Sequence, residues 1–209
     1  MNYSYQLLSQ ILDLYGRFGI RSLTMDDLAR QLGISKKTIY QVVRDKADLI
    51  RQVIELDLEL NKDFIAGLDN SGDNAIEDLI TINERMHQHG RHLNPTFYFD
   101  LQKYYPALYR RWTTEKRNHL YQIIVANINK GKSEGLYRME LRGEVIAELY
   151  VSRIERLERE DPTEGLRLIS GEAIREVFIY HLHGICNRKG LDYLEHQLVF
   201  NYEKKNDES

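Results

Sequence analysis

Polar and cationic side chains near the N-terminus have types and spacing that suit contact with DNA. Three of them, at positions 36–38, follow each other directly. Lysine and hydroxyl groups in the first turn of a helix can reach guanine N7 and O6, thymine O4 and phosphate oxygens. Hydroxyl and lysine groups at helix starts can also hold the phosphate backbone. The candidate DNA-binding residues are Thr24, Ser35, Lys36, Lys37, Thr38, Tyr40 and Lys46.

The local sequence predicts two short helices that would position these side chains. Thr24 is a typical N-cap, and the apolar spacing after it indicates a helix over residues 25–32. Gly33 breaks that helix, and Ser35 can cap another from residue 36 to about 42. A helix, a glycine turn and a second helix form the helix-turn-helix unit, whose second helix enters the major groove of DNA.

The rest of the chain also has the sequence features of helices. Apolar residues spaced by three and four predict a first helix that ends at Gly19, and another helix begins near Asp45. Only 3 prolines and 13 glycines occur, too few for the regular turns of an all-β fold. We therefore predict an all-α chain. Later breaks are expected at residues 70–73, 90–95, 105–106, 131–135 and 161–171.

The N-terminal motifs resemble the DNA-binding domain of the TetR family of bacterial transcriptional regulators. The resemblance covers about the first fifty residues and combines a Phe-Gly helix end, a Thr cap, a Gly-Ile-Ser turn, a tyrosine and a downstream lysine. The residues that carry it are Phe18, Gly19, Thr24, Ala29, Gly33, Ile34, Ser35, Tyr40 and Lys46.

The resemblance implies a homodimer that binds a roughly palindromic operator in double-stranded DNA. It also implies a helical C-terminal domain that dimerises and holds a small-molecule effector. Lys37 stands where glycine is frequent in the family, and Val42 and Val43 stand where an aromatic or His followed by Phe is usual. Val43 can still fill the core, whereas Val42 loses a contact to the phosphate backbone or groove.

Charge is distributed unevenly along the chain. The whole chain has a net charge of −3, but residues 1–55 have eight Lys or Arg and six Asp or Glu, a net charge of +2. The remaining residues have a net charge of −5. A basic head on an acidic body is typical of a small nucleic-acid module joined to another domain. We predict a helix-turn-helix domain over residues 1–50 and an effector-binding and dimerisation domain over residues 51–209.

An aromatic cluster provides the candidate effector site. Seven aromatic residues lie between positions 97 and 112, in a chain with 14 tyrosines. Tyrosine combines apolar surface with a polar tip, which suits the wall of a ligand pocket, although ordinary packing remains the alternative. The candidate effector-binding residues are Tyr98, Tyr105, Trp112 and Tyr121.

The sequence does not favour an enzyme or a metal site. His87 and His89 would point about 200° apart on a helix, and no carboxylate or cysteine completes a ligand set with them and His92. His181, His183 and the single cysteine, Cys186, lack the motifs of a nucleophilic site and fit core or interface positions. We therefore expect no catalytic residue, no metal and no cofactor.

The function predicted from the sequence is a cytoplasmic repressor that a small-molecule effector releases from its operator. The N-terminus has neither a signal-peptide pattern nor a membrane anchor, and no apolar run is long enough to span a membrane. Two alternatives remain open at this point. The protein could be an activator, or its body could bind another protein instead of a small ligand. A helical hydrolase is the enzymatic rival, and it lacks a clustered set of acids, bases or ligands.

Overall fold

The computed structural model describes residues 3–66, 73–90, 94–158 and 171–195. Within these ranges the chain is helical, with one isolated bridge between Tyr137 and Cys186 and no strand. Residues 188–195 are helical as well. The main helices are α1 (Tyr3–Phe18), α2 (Met25–Leu32), α3 (Lys36–Tyr40), α4 (Lys46–Ala66), α5 (Ala75–Gly90), α6 (Pro95–Tyr104), α7 (Pro106–Ser133), α8 (Gly143–Glu158) and α9 (Gly171–Ile185).

Two compact units divide the chain. The first comprises residues 3–66 and the described part of 87–119; the second comprises residues 73–86 and the described part of 120–195. The predicted domain boundary at residue 50 lies inside α4. None of the described helices is both long enough and apolar enough to cross a membrane.

Buried apolar side chains from α1 to α4, together with α6 and the start of α7, form the core of the first unit. Val43 is buried in this core, as predicted, and Val42 packs against it from a half-buried position. The largest fully buried members are Trp112, Tyr15, Phe97, Ile11, Ile20, Leu28, Ile39, Leu49, Ile50 and Ile54. Such a core fixes the short helices α2 and α3, which are too short to be stable alone.

A separate core holds the second unit together. It includes Ile124 and Ile128 of α7, Tyr150 of α8 and Leu182 of α9. Tyr137 lies inside it, and its hydroxyl donates to the Ala75 carbonyl at 3.0 Å. The apolar side chains of α8 are only partly buried, since Val145 and Leu149 are exposed. The side chains of Ile154, Leu157 and Ile174 lie outside the described residues.

Helix α7 ends at Ser133, within the break that the sequence predicts at residues 131–135. Gly131 is still helical, and a Cβ atom there would lie 2.1 Å from the Tyr137 ring. The glycine serves close packing rather than a turn. The turn itself comes at Gly135, whose φ of 67° is in the left-handed region that glycine tolerates best.

Candidate nucleic-acid interface

Helices α2 and α3 form the helix-turn-helix unit, and local hydrogen bonds define each end. Thr24 and Asp27 make a complete capping box at the start of α2, with the Asp27 N–H donating to Thr24 Oγ1 at 3.2 Å. Gly33 ends α2 in the left-handed conformation, with φ of 65°. Ser35 Oγ then accepts the N–H of Thr38 at 3.1 Å and so caps α3. The predicted caps and turn are therefore present.

Helix α3 has one buried residue and an outward face of polar side chains. Ile39 is completely buried and anchors the helix in the core. Ser35, Lys36, Lys37 and Tyr40 are exposed, and Thr38 is half-buried. The structure thus brings five of the seven candidate DNA-binding residues together on one short helix and its cap.

The two lysines of α3 have different electrostatic surroundings. Lys36 Nζ donates to Asp26 Oδ2 at 2.9 Å, and this hydrogen bond raises the pKa of Lys36. Lys37 is exposed and makes no ion pair with any of the described residues. Only the ammonium group of Lys37 is available for phosphate without giving up a carboxylate partner.

Thr24 and Lys46 lie outside α3 and already have partners within the protein. The Thr24 hydroxyl donates to Asp27 Oδ2 at 2.6 Å, which lowers the pKa of Asp27. Lys46 Nζ donates to the carbonyls of Ile20 and Leu23, at 3.0 and 2.6 Å, and burial lowers the pKa of Lys46. Two of the three donors of Lys46 therefore hold the loop between α1 and α2.

Helix α6 holds the same loop from another side, a contact that the sequence analysis missed. The buried carboxylate of Asp100 accepts the backbone N–H of Arg21 at 2.8 Å. The Arg21 guanidinium donates to the Tyr104 hydroxyl at 2.6 Å. Gly19 makes close approach possible, because a Cβ there would lie 2.7 Å from Cγ2 of Thr96. Asp100 lies 79 positions from Arg21, so no local pattern signals the contact.

The aromatic candidates for an effector site divide between the two cores. Tyr98 and Tyr105 are half-buried against the first core, which includes Trp112. The rings of Tyr98 and Trp112 lie 5.5 Å apart, and Trp112 Nε1 donates to Asp57 Oδ2 at 2.6 Å. Tyr121 packs instead against the second core. The structure thus groups the first three and places Tyr121 in the other cluster.

The histidine and cysteine residues considered for metal binding or catalysis have ordinary surroundings where the structure describes them. Among the described side chains, no three His, Cys, Asp or Glu residues come together as metal ligands do. His92 and the side chains of His87 and His89 lie outside the described part of the chain. Cys186 is buried, and burial raises the pKa of its thiol to about 11. A thiol with so high a pKa is a poor nucleophile at neutral pH.

Comparison with known proteins agrees with this architecture. Residues 7–53 match the family model of bacterial regulatory proteins of the tetR family. Among solved structures, the TetR-family transcriptional regulator from Cytophaga hutchinsonii has a TM-score of 0.68 and 15% identity, and the match covers 90% of this chain and 99% of that one. No curated protein sequence matches the chain significantly.

Two further similar structures are also transcriptional regulators, and one of them is in complex with choline. A transcriptional regulator from Saccharomonospora viridis in complex with choline has a TM-score of 0.62 and 23% identity, over 88% of this chain and 98% of that one. The ketosteroid transcriptional regulator KstR2 of Mycobacterium tuberculosis has a TM-score of 0.56 and 16% identity, over 90% and 96%. The predicted resemblance of the N-terminal region and the predicted all-α fold class are both confirmed.

Proposed function

We propose that the chain is a DNA-binding transcriptional regulator that inserts α3 into the major groove of an operator. The outward face of α3 carries the proposal: Lys36, Lys37 and Tyr40 are exposed on a helix that Ile39 anchors in the core. The match of residues 7–53 to a family of bacterial regulators supports it. Lysine and tyrosine at such positions would contact base edges and phosphates from one helix.

The phosphate contacts proposed for Thr24 and Lys46 are compatible with their roles in the fold. Lys46 uses two of three donors on the carbonyls of Ile20 and Leu23, which leaves one N–H for a phosphate oxygen. Thr24 is exposed beside the free backbone amides at the start of α2. Both would position the protein on DNA rather than read its sequence.

The regulator would act as a homodimer in the cytoplasm. Two copies of α3 would reach successive major grooves, whose repeat is about 34 Å, only if the subunits pair with two-fold symmetry. Helices α8 and α9 are the proposed interface, because Leu149 and Tyr180 are 62% and 80% exposed. Large apolar side chains with that exposure are those that a second copy could cover.

We further infer that the protein is a non-enzymatic repressor released from DNA by a small molecule. The similarity to a regulator in complex with choline, and to one named a ketosteroid transcriptional regulator, supports a body that holds an organic effector. The effector would favour a dimer whose two α3 helices no longer match the groove spacing. The aromatic group of Tyr98, Tyr105 and Trp112 remains the proposed effector contact in the first unit, and Tyr121 that in the second.

Selection of genomic DNA fragments with the purified full chain at physiological salt, followed by footprinting, tests the function. The expected result is a single palindromic site with half-sites about one helical turn apart. Binding that is weak, abolished by salt and indifferent to sequence would reject the proposal. A reporter gene placed behind the selected site distinguishes repression from activation, because loss of the protein would raise expression only for a repressor.

A further inference from the structure

Arg153 of the second unit is half-buried, but its guanidinium nitrogens are shielded from solvent. Among the described residues, none offers Nε, Nη1 or Nη2 an acceptor in hydrogen-bonding geometry, and the electrostatic partner of the guanidinium is the Tyr150 side chain. Its guanidinium lies over the ring of Tyr150, 4.7 Å from the ring centroid. A guanidinium has five N–H donors, and buried arginines are almost always paired with an acceptor or a carboxylate.

A second unpartnered group faces the same tyrosine from α9. The His181 Nε2 atom is buried and makes no hydrogen bond, and the rings of His181 and Tyr150 lie 4.9 Å apart. The Tyr150 hydroxyl lies 3.5 Å from Asn83 Oδ1 of α5. Tyr150 therefore lies against two side chains, Arg153 of its own helix α8 and His181 of α9, whose shielded nitrogens have no hydrogen-bonding geometry with any described residue.

Burial without a counter-ion is unfavourable for this pair. It lowers the pKa of Arg153, and it lowers the pKa of His181 to about 4, with the positive charge of Arg153 contributing. His181 is therefore neutral at physiological pH, and the remaining charge is the guanidinium. Elsewhere in this unit a partly buried cation has an anionic partner, because Lys130 Nζ donates to Asp78 Oδ2 at 2.6 Å. An anion that binds Arg153 would supply the counter-charge that the guanidinium lacks.

We propose that Arg153 and His181 form the recognition site for a small organic carboxylate. The guanidinium would donate two parallel hydrogen bonds to the carboxylate oxygens, and His181 Nε2 would make a third polar contact with the ligand. A monoanion suits this enclosed site better than a phosphate dianion, because transfer of two charges from water costs more. The inference rests on the proposed function, since it assigns a chemical class to the effector.

Thermal unfolding of the full chain with matched pairs of ligands tests the site without DNA. Acetate and benzoate are compared with acetamide and benzamide, and with inorganic phosphate, all at one ionic strength adjusted with sodium chloride. The expected result is a rise in unfolding temperature that depends on carboxylate concentration and is absent with the amides. Equal shifts with carboxylates and amides, or no shift with any carboxylate, would overturn the inference. A larger shift with phosphate would assign the site to phosphate instead and reject a carboxylate.

Substitution of Arg153 separates ligand recognition from a structural role. Arg153→Met should unfold at a higher temperature than the parent protein in the absence of ligand, because it removes an unpaired buried charge. The same variant should weaken carboxylate binding at least tenfold. Arg175→Met removes an exposed arginine from α9 and is the matched control, so it should respond to carboxylates as the parent does. Equal weakening in both variants would contradict the proposed site.

Two more outcomes keep the test decisive. If Arg153→Met does not fold, Arg153→Lys retains the positive charge without the planar fork and should still bind carboxylates at least tenfold more weakly. Binding by Arg153→Lys at the strength of the parent would overturn the inference. Operator binding is measured separately: loss of carboxylate binding alone rejects the ligand assignment, whereas a failure to recognise any operator rejects the regulator.

Discussion

Lys36 and Lys37 are adjacent in sequence, but their side chains have different surroundings. Lys36 forms an ion pair with Asp26, whereas Lys37 extends into solvent. In the proposed complex with DNA, Lys36 would have to exchange a carboxylate for a phosphate or a base edge, and the nearby negative charge of Asp26 would remain. Lys37 would make its proposed contact without that exchange. The two residues should therefore contribute to operator affinity in different ways.

Removal of the Asp26 carboxylate should strengthen operator binding. We expect Asp26→Asn to raise affinity several-fold, because it frees Lys36 and reduces repulsion of the phosphates. Lys37→Ala should weaken affinity and lower the slope of log affinity against log salt by about one unit. Fluorescence anisotropy at several salt concentrations measures both effects. Lys62→Ala, an exposed lysine of α4, is the control and should leave the slope unchanged. Weaker binding by Asp26→Asn would contradict this account of Lys36.

Asp48 should give the first unit an acid-sensitive component of stability. Its carboxylate accepts the Arg44 N–H at 2.9 Å and pairs with Arg51, and these contacts lower the pKa of Asp48 from 3.8 to about 2. The stabilisation is complete above pH 4 and disappears as the pH falls towards 2. Asp48→Asn should be less stable than the parent at pH 6, and the difference should shrink between pH 4 and 2. Urea unfolding at each pH measures it; a difference that does not change with pH would exclude the ionised carboxylate as its source.

At the scale of elements, the loop between α1 and α2 is held from two directions. Lys46 of α4 binds the carbonyls of Ile20 and Leu23, while Asp100 of α6 binds the N–H of Arg21. These contacts fix where α2 begins, and α2 in turn supports α3. Helix α6 is therefore part of the scaffold of the DNA-binding unit, although it lies more than fifty residues further along the chain.

Loss of the Asp100 contact should destabilise the first unit. Asp100→Ala would remove the charged acceptor of the part-buried Arg21 N–H hydrogen bond, and we expect it to lower the free energy of unfolding by about 1–3 kcal/mol. Asp100→Asn keeps an acceptor oxygen and should cost less. Urea denaturation measures the free energy of unfolding of both variants. Asp63→Ala, which removes an exposed carboxylate of α4, is the control. Equal losses for Asn and Ala would show that charge, and not the hydrogen bond, is what α6 supplies.

Elements whose ends depend on nearby residues could be predicted from the sequence. The capping box at Thr24, the left-handed Gly33 and the cap at Ser35 all use partners within five positions, and the predicted bounds of α2 agree with the structure. Helix α7 ends at Ser133, within its predicted break, but the packing of the Tyr137 ring against Gly131 has no sequence signal. The roles of Lys46 and Asp100 depend on partners more than twenty positions away, and no periodic pattern contains that information. The seven DNA contacts and the four effector contacts stay predictions.

The aromatic cluster also depends on a partner that is distant in the sequence, which local composition does not indicate. Aromatic composition indicated a pocket wall, but Trp112 is buried and its indole N–H is bonded to Asp57, which lies 55 positions earlier. That partner explains how a buried tryptophan is satisfied without a ligand. By contrast, no sequence pattern signals the surroundings of Arg153, since a shielded cation is recognised only when its surroundings are known, and His181 is predicted only as a core or interface residue.

At the scale of the whole molecule, exposed apolar side chains in the second unit need an explanation. Val145 and Leu149 lie one turn apart on α8 and are 43% and 62% exposed, while Tyr180 of α9 is 80% exposed. A Cβ added at Gly184, one turn after Tyr180, would meet no atom within 4 Å, so the surface there is open. Helices α8 and α9 pack on each other through Tyr150 and His181. A second copy of the chain would cover these residues in the proposed dimer.

A charged side chain placed on this apolar surface of α8 and α9 should dissociate the proposed dimer and, as a consequence, abolish operator binding. We expect Leu149→Arg to weaken dimerisation by about 2 kcal/mol or more, roughly a 30-fold rise in the dissociation constant, because the arginine would be buried against its own symmetry mate. Sedimentation velocity over a concentration series measures the dissociation constant, and anisotropy measures DNA binding. Met139→Arg is the control, since Met139 is 70% exposed but lies between α7 and α8. A Leu149→Arg protein that remains dimeric would place the interface elsewhere, whereas a monomer that binds a full operator as tightly as the parent would show that recognition does not need two paired heads.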